Sequence, residues 1–225
     1  MKNLHIISHS NESFKDRFEA GKLLAKELKK IAGRNAVILG IPRGGVVVAY
    51  ELAKELSIES DIVLSRKIGA PLNPEFAIGA VSEDGKIFIN KQALRQVHID
   101  EEYINKEKEF QMQEIKRRIN LYRKIKPKVI LKEKTAIICD DGVATGTTMQ
   151  AAIWAAKQEG CARAVLALPV APYDTITRLA QEADETIVLR VPDFFTAVGQ
   201  FYMDFPQVED SEVIELLKEI QSVKK

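Results

Sequence analysis

Short apolar runs alternate with longer stretches whose apolar residues recur every three or four positions along most of the chain. Ala36–Leu39, Asp61–Leu64, Ala136–Cys139, Ala164–Leu168 and Thr186–Leu189 read as five strands. Most are unbroken apolar runs with no in–out alternation, the mark of strands covered on both faces, as in a parallel sheet. Between them the 3–4 spacing predicts helices. The first runs from about Phe14 to Ile31, with Ser13 as its cap and Gly33 as its stop, and the second spans Val46 to Leu56. A third, alanine-rich, reaches about Glu159 and stops at Gly160, and the last covers about Ser211 to Val223. The pattern predicts an α/β fold: a mostly parallel twisted sheet with flanking helices.

Three segments stand outside that alternation. Ala80–Ser82 and Ile87–Ile89 flank an Asp84-Gly85 turn and read as a hairpin. Ahead of it, Gly69 to Gly79 with Pro71 and Pro74 reads as a long loop, of the kind that forms lids. Asp100 caps a long charged helix that ends before Pro127, with a narrow stripe of Met112, Ile115, Ile119 and Tyr122. Its other face is read as solvated, a partner-binding helix being the alternative. Pro192 to Pro206 is aromatic and irregular. The whole is read as one domain over 1–225, with a core of about 34–190, a helical insertion of about 91–127, and a small hood built from the N-terminal segment and about 191–210.

Composition narrows the class. Lys and Arg number 33 against 32 Asp and Glu, so the formal net charge is +1. That balance argues against a nucleic-acid partner, which draws a clear basic excess. Apolar content of 46% excludes a disordered chain. No run reaches the ~20 apolar residues of a spanning helix, and none near the N-terminus fits a signal peptide, so no membrane partner and a cytoplasmic location are expected. Cys139 and Cys161 lack metal-ligand spacing and read as buried free thiols.

The chemistry concentrates in Ile137-Ile138-Cys139-Asp140-Asp141-Gly142-Val143-Ala144-Thr145-Gly146-Thr147-Thr148. The strand delivers its loop to the carboxyl end of the sheet, where open α/β sheets bind ligands. Adjacent Asp140 and Asp141 suit the paired hydroxyls of a ribose. Ala144, Thr145, Gly146, Thr147 and Thr148 then present backbone N–H groups and hydroxyls at a helix start, a cradle for a phosphate. Together they match a ribose 5-phosphate group. The alternative is a plain β–α turn with Thr147 or Thr148 as a cap. It is not a Walker loop, since no Lys follows the last glycine, and no GxGxxG occurs.

This run resembles the phosphoribosyl-pyrophosphate motif of type I phosphoribosyltransferases, and the resemblance extends over about Ala36 to Asp204. It implies that Asp140 and Asp141 hold the ribose hydroxyls and that the turn holds the 5-phosphate. Ile41-Pro42-Arg43-Gly44-Gly45 then falls where the family has its diphosphate loop, with a non-proline cis peptide expected at Pro42–Arg43. Arg43, Gly44 and Gly45, with Arg66 and Lys67 at the end of the second strand, are the implied diphosphate ligands. Glu75, in the expected lid, is similar to the lid glutamate of adenine phosphoribosyltransferases, a candidate acid–base group; a solvated loop glutamate is the alternative. In the hood, Phe195 would stack on the acceptor, Val198 would line its pocket, and Asp204 would lie near a metal with Asp140 and Asp141. The same aromatics could instead form a small core with the first helix. Ala144 replaces the turn Asp of 6-oxopurine enzymes, which argues against a hypoxanthine-guanine activity.

The resemblance implies a magnesium-dependent enzyme of nucleotide metabolism. It would transfer ribose 5-phosphate from phosphoribosyl pyrophosphate to a nitrogenous base and release diphosphate, commonly as a homodimer. A non-catalytic sensor of phosphoribosyl pyrophosphate or of a nucleotide on the same fold is the alternative. A hydrolase is disfavoured, because there is no GxSxG or HExxH and His5, His9 and His98 fall outside the candidate site.

Overall fold

A computed structural model describes residues 3–31, 33, 35–90 and 99–222, with the side chains of Glu75 and Ser222 left out. Six parallel strands form the main sheet in the order β1-β9-β8-β7-β2-β3: β1 (Leu4–Ser8), β2 (Ala36–Gly40), β3 (Glu59–Ile62), β7 (Thr135–Cys139), β8 (Arg163–Val170) and β9 (Glu185–Arg190). The expected mostly parallel sheet is therefore present, with a sixth strand the sequence pattern did not reveal. β1 is a short edge strand, and only Leu4 and Ile6 of its residues pack on the core.

Side-chain alternation divides the core in two. Val37, Leu39, Ala136 and Ile138 point to a layer shared with α4 (Thr147–Gln158) and α5 (Tyr173–Glu182). Ile38, Ile137 and Cys139 point to the opposite layer, shared with α1 (Arg17–Leu28) and α2 (Gly44–Leu56). Both faces are covered, which is why these strands read as unbroken apolar runs. α1 starts at Arg17 because Asp16, and not Ser13, accepts from the Glu19 N–H and caps it. α3 (Glu101–Tyr122), capped by Asp100, and α6 (Asp210–Ser222) pack against each other and on the Ser65–Ala70 strand and α2 respectively.

The stretch expected as a loop is a β-hairpin. β4 (Ser65–Ala70), β5 (Asn73–Ser82) and β6 (Ile87–Ile89) form a separate antiparallel sheet. Pro71-Leu72 is the two-residue connection, and Leu72 is fully exposed at its tip. Pro74 is tolerated because the register slips on either side of Gly69, whose missing side chain leaves room for the Pro74 carbonyl. Arg66 and Lys67 consequently lie on β4 and not at the end of β3, which stops at Ile62. This small sheet packs on α4, where Phe88 stacks on Trp154 at 4.7 Å. Residues 91–98, the start of the expected insertion, lie outside the described residues. Among the described residues no helix is long and apolar enough to cross a membrane.

Candidate active site

Loops that leave the carboxyl end of the main sheet carry Arg43 to Gly45, Asp140 to Thr148 and Phe195 among the expected site residues. β2 delivers Pro42 to Gly45, β7 delivers Asp140 to Thr148, β8 delivers Ala171 to Asp174, β9 delivers Val191 to Phe195, and β1 delivers His9. The Pro42–Arg43 peptide is cis. Gly44 and Gly45 start α2 directly against the acid pair. A Cβ on Gly44 would collide with Asp141 Oδ2, and one on Gly45 would stand 2.8 Å from the Asp140 Cα. The sequence suggested that these glycines admit a diphosphate; in the structure they admit the two aspartates.

The pair itself is held from within. Asp140 Oδ1 accepts the Asp141 N–H at 2.9 Å, and Arg17 Nε donates to Asp141 Oδ2 at 2.8 Å. Arg17 also donates to the Pro206 carbonyl at 2.9 Å and lies 3.8 Å over the Phe205 ring. Phe205 stacks on Tyr202, whose hydroxyl donates to the Asp141 carbonyl at 2.6 Å. Burial pushes the Asp140 carboxyl well above its usual range, and the Asp141 charge pushes it the same way. Burial raises Asp141 as well, while the Arg17 hydrogen bond and charge pull it back. One oxygen of each carboxylate is fixed by the protein, and the remaining capacity suits a hydroxyl or a cation. Sequence reasoning missed Arg17 and Tyr202. Nothing in the local pattern separates Arg17 from the other 32 basic residues, since its burial depends on a hood nearly 190 residues downstream.

The turn after the acids has the geometry of an anion site. Gly146 (φ +73°) is the left-handed residue before α4, and a Cβ there would meet Thr175 and Leu179. No side chain caps α4, so the first-turn N–H groups have no intrahelical partner. The loop carbonyls are turned away from that opening: Thr175 Oγ1 donates to the Ala144 carbonyl at 2.7 Å, and Arg178 donates to that of Thr145. Ala144, Thr145 and Thr148 are exposed, while Thr147 is buried and shares a hydrogen bond with Thr145.

The candidate diphosphate ligands are partnered. Arg43 pairs with Glu209 at 3.2 Å, and Arg66 donates to Gln111 Oε1 at 2.9 Å. Two turns along α3 from Gln111, Arg118 donates to the Pro42 carbonyl at 3.2 Å and to Glu114 at 2.9 Å. The charged face of α3 is thus not simply solvated, because it braces the Pro42 loop.

The hood divides the remaining expected residues. Phe195 stacks on Phe201 at 5.3 Å, and Val198 lies close against Gly142; both pack on the α1 side of the core. Asp204 is exposed, and its N–H donates to the Lys15 carbonyl. Among the described residues no three His, Cys, Asp or Glu side chains form a metal cluster, so Asp204 does not join the pair as a third ligand. The donor set still fits magnesium, an ion bound by one or two carboxylates together with substrate phosphates and water. Glu75 lies in β5, and its side chain is not described. A cavity of about 610 Å³ opens at the amino end of the strands beside Asn35, Glu55 and Lys134, away from all of these groups.

The phosphoribosyl transferase domain model matches residues 10–206. Two Mycobacterium tuberculosis proteins, from strains CDC 1551 / Oshkosh and H37Rv and each named "Putative phosphoribosyl transferase", are 41% identical over 204 residues, 91% of this chain. The chain spans 46% of the length of those relatives. The crystal structure of TT1426 from Thermus thermophilus superposes with a TM-score of 0.88 at 45% identity, covering 92% of this chain and 98% of that one. The family model and the curated relatives cover most of the chain, and the chain belongs to the phosphoribosyl transferase domain family.

Proposed function

We propose that the chain is a magnesium-dependent phosphoribosyltransferase that moves ribose 5-phosphate from phosphoribosyl pyrophosphate to a nitrogenous base and releases diphosphate. The observation that carries this reading is the order along one sheet edge. Arg43 stands on the β2 loop, Asp140 and Asp141 on the β7 loop, and the uncapped start of α4 directly behind them. A phosphoribosyl diphosphate laid along that edge meets cations, hydroxyl acceptors and an anion cradle in its own order.

In this reading the α4 N-terminus fixes the 5-phosphate. Asp140 and Asp141 accept from the ribose hydroxyls and oppose the positive charge that develops at the anomeric carbon. Arg43, with Arg66, shifts from its protein partners to the leaving diphosphate. Asp140 and Asp141 are the residues that would hold magnesium, which supplies neutralisation of the diphosphate charge. The small sheet replaces the expected loop as the candidate cover, with Leu72 fully exposed at its tip.

The test is diphosphate release with phosphoribosyl pyrophosphate, Mg²⁺ and a panel of bases, alongside an Asp140→Asn/Asp141→Asn double variant. Turnover by the wild type and a fall of ~10³-fold or more in the variant are expected. Undiminished turnover in the variant sinks the assignment. Tight phosphoribosyl pyrophosphate binding with no turnover on any base would make the chain a sensor.

A further inference from the structure

The anion cradle at the start of α4 is shaped from outside by α5. Thr175, Arg178, Leu179 and Glu182 follow one another on α5 at helical spacing, so they share one face of that helix. That face meets the cradle first and then the flank of α4. Thr175 Oγ1 donates to the Ala144 carbonyl at 2.7 Å, and Arg178 donates to the Thr145 carbonyl. Thr175 and Leu179 pack over Gly146, where an added Cβ would meet them at 2.8 and 3.0 Å. Farther along, Glu182 accepts from Gln150 Nε2 at 3.2 Å and from Trp154 Nε1 at 3.1 Å, which fixes α5 alongside α4. Asp174 precedes Thr175 and so stands about 100° around the helix, off this face.

The two held carbonyls decide where the amides point. A trans peptide is planar, with its C=O and N–H on opposite sides, and both peptides here are trans. Holding the Ala144 carbonyl toward α5 therefore aims the Thr145 N–H away from α5. Holding the Thr145 carbonyl aims the Gly146 N–H the same way. Among the described residues, the N–H groups of Thr145, Gly146, Thr147 and Thr148 donate to no protein acceptor. Gly146 at φ +73° is the left-handed residue that gathers successive amides into a concave anion nest. Were either peptide to flip, a carbonyl oxygen would replace an N–H at the mouth of the nest, and an acceptor there repels an anion. The Thr175 and Arg178 bonds oppose that flip.

We infer that Thr175 and Arg178 are positioning residues for this cradle: acting through the Ala144 and Thr145 carbonyls, they hold its amides in the anion-binding orientation. That the anion is the 5-phosphate of phosphoribosyl pyrophosphate rests on the phosphoribosyltransferase reading above. That α5 orients an anion site rests on the two carbonyl contacts alone.

The experiment is calorimetry on the intact chain with ribose 5-phosphate and, separately, with diphosphate and Mg²⁺. Phosphoribosyl pyrophosphate with Mg²⁺ is titrated first as the control for the parent reading. Thr175→Val keeps the side-chain shape and the charge and removes only the hydroxyl. It should weaken ribose 5-phosphate ~10-fold, the worth of one hydrogen bond, and leave diphosphate within ~2-fold, because the proposed diphosphate contacts lie on other elements. Thr175→Ser, which keeps the hydroxyl, should bind ribose 5-phosphate as the wild type does. Arg178→Met should weaken ribose 5-phosphate by up to ~30-fold, since the bond it removes is charge-assisted. If Thr175→Val binds ribose 5-phosphate as tightly as the wild type, loses both ligands equally, or is not rescued by Thr175→Ser, the positioning inference fails and the parent reading stands. If phosphoribosyl pyrophosphate does not bind at millimolar concentration but ribose 5-phosphate binds with the expected dependence on Thr175, the parent reading falls and the inference stands. If the wild type binds neither, both fall.

Discussion

The two charged flanks of the candidate site are built differently. On the flank proposed for the ribose, Arg17 and Asp141 meet at 2.8 Å with side chains 8% and 15% exposed, enclosed by Phe205, Tyr202 and Gly44. On the flank proposed for the diphosphate, Arg43 and Glu209 meet at 3.2 Å with side chains 33% and 60% exposed. A buried pair cannot lose one partner without stranding a charge, whereas an exposed pair trades its partner for water at little cost. One flank is therefore a fixed anchor and the other a set of exchangeable contacts. That suits a ligand whose ribose must be held in register while its diphosphate arrives and leaves.

The largest effect should follow from removing the buried cation. Arg17→Leu leaves Asp141 beside Asp140 with no counter-charge and takes away the stack on Phe205. The expected loss is about 3 kcal/mol, or a Tm lower by roughly 6–12 °C for a chain of this length. The loss should be smaller at pH 5 than at pH 7.5, because the stranded carboxyl can take up a proton at the lower pH. A Tm within one degree of wild type at pH 7.5 would abolish the distinction between the two flanks.

Asp140 sharpens the same comparison through pH. Its folded-state pKa lies above the ordinary Asp value of 3.8, because burial and Asp141 disfavour the charge. The folded chain then holds a proton that the unfolded chain has already lost, so ligand-free stability falls as pH rises above about 4 toward neutrality. Asp140→Asn removes that slope. Its ligand-free Tm at neutral pH should exceed wild type by about 2–4 °C, a gain on the order of 1 kcal/mol that shrinks toward pH 4, while the Tm increase caused by phosphoribosyl pyrophosphate disappears. Thermal melts across pH 4–8, with and without ligand, measure both arms. A ligand-free variant less stable than wild type at pH 7.5 contradicts the assignment of Asp140 as a strained ligand group.

What was legible in the chain follows the same division. The acid pair and the Ala144–Thr148 turn form one continuous segment between a strand and a helix, and their chemistry depends on neighbours a few residues away. The sheet was legible because five of its strands are buried on both faces. β1 escaped because an edge strand of five residues shows only Leu4 and Ile6 to the core. The β4–β5 hairpin escaped because Pro71 falls in its two-residue turn and Pro74 normally breaks a strand, and the slipped register at Gly69 accommodates Pro74. Arg17, Tyr202 and Arg118 escaped for a third reason. Their roles are contacts with Asp141 and Pro42 across 124, 61 and 76 positions of sequence, and no local pattern encodes those distances.

The smallest effect, and the most pointed, belongs to Glu209. If the diphosphate flank is exchangeable, Glu209→Gln should leave Tm unchanged within about one degree, since an exposed pair contributes ~0–1 kcal/mol. It should also release Arg43 from a competitor. Phosphoribosyl pyrophosphate would then bind up to ~2-fold tighter at low salt, with the gain fading near 0.5 M salt, where exposed charges are screened. Calorimetry at two salt concentrations reads the difference. A loss of binding, or of more than about 1 kcal/mol of stability, would mean that Glu209 positions Arg43 as firmly as Arg17 holds Asp141, and the diphosphate flank would then be an anchor as well.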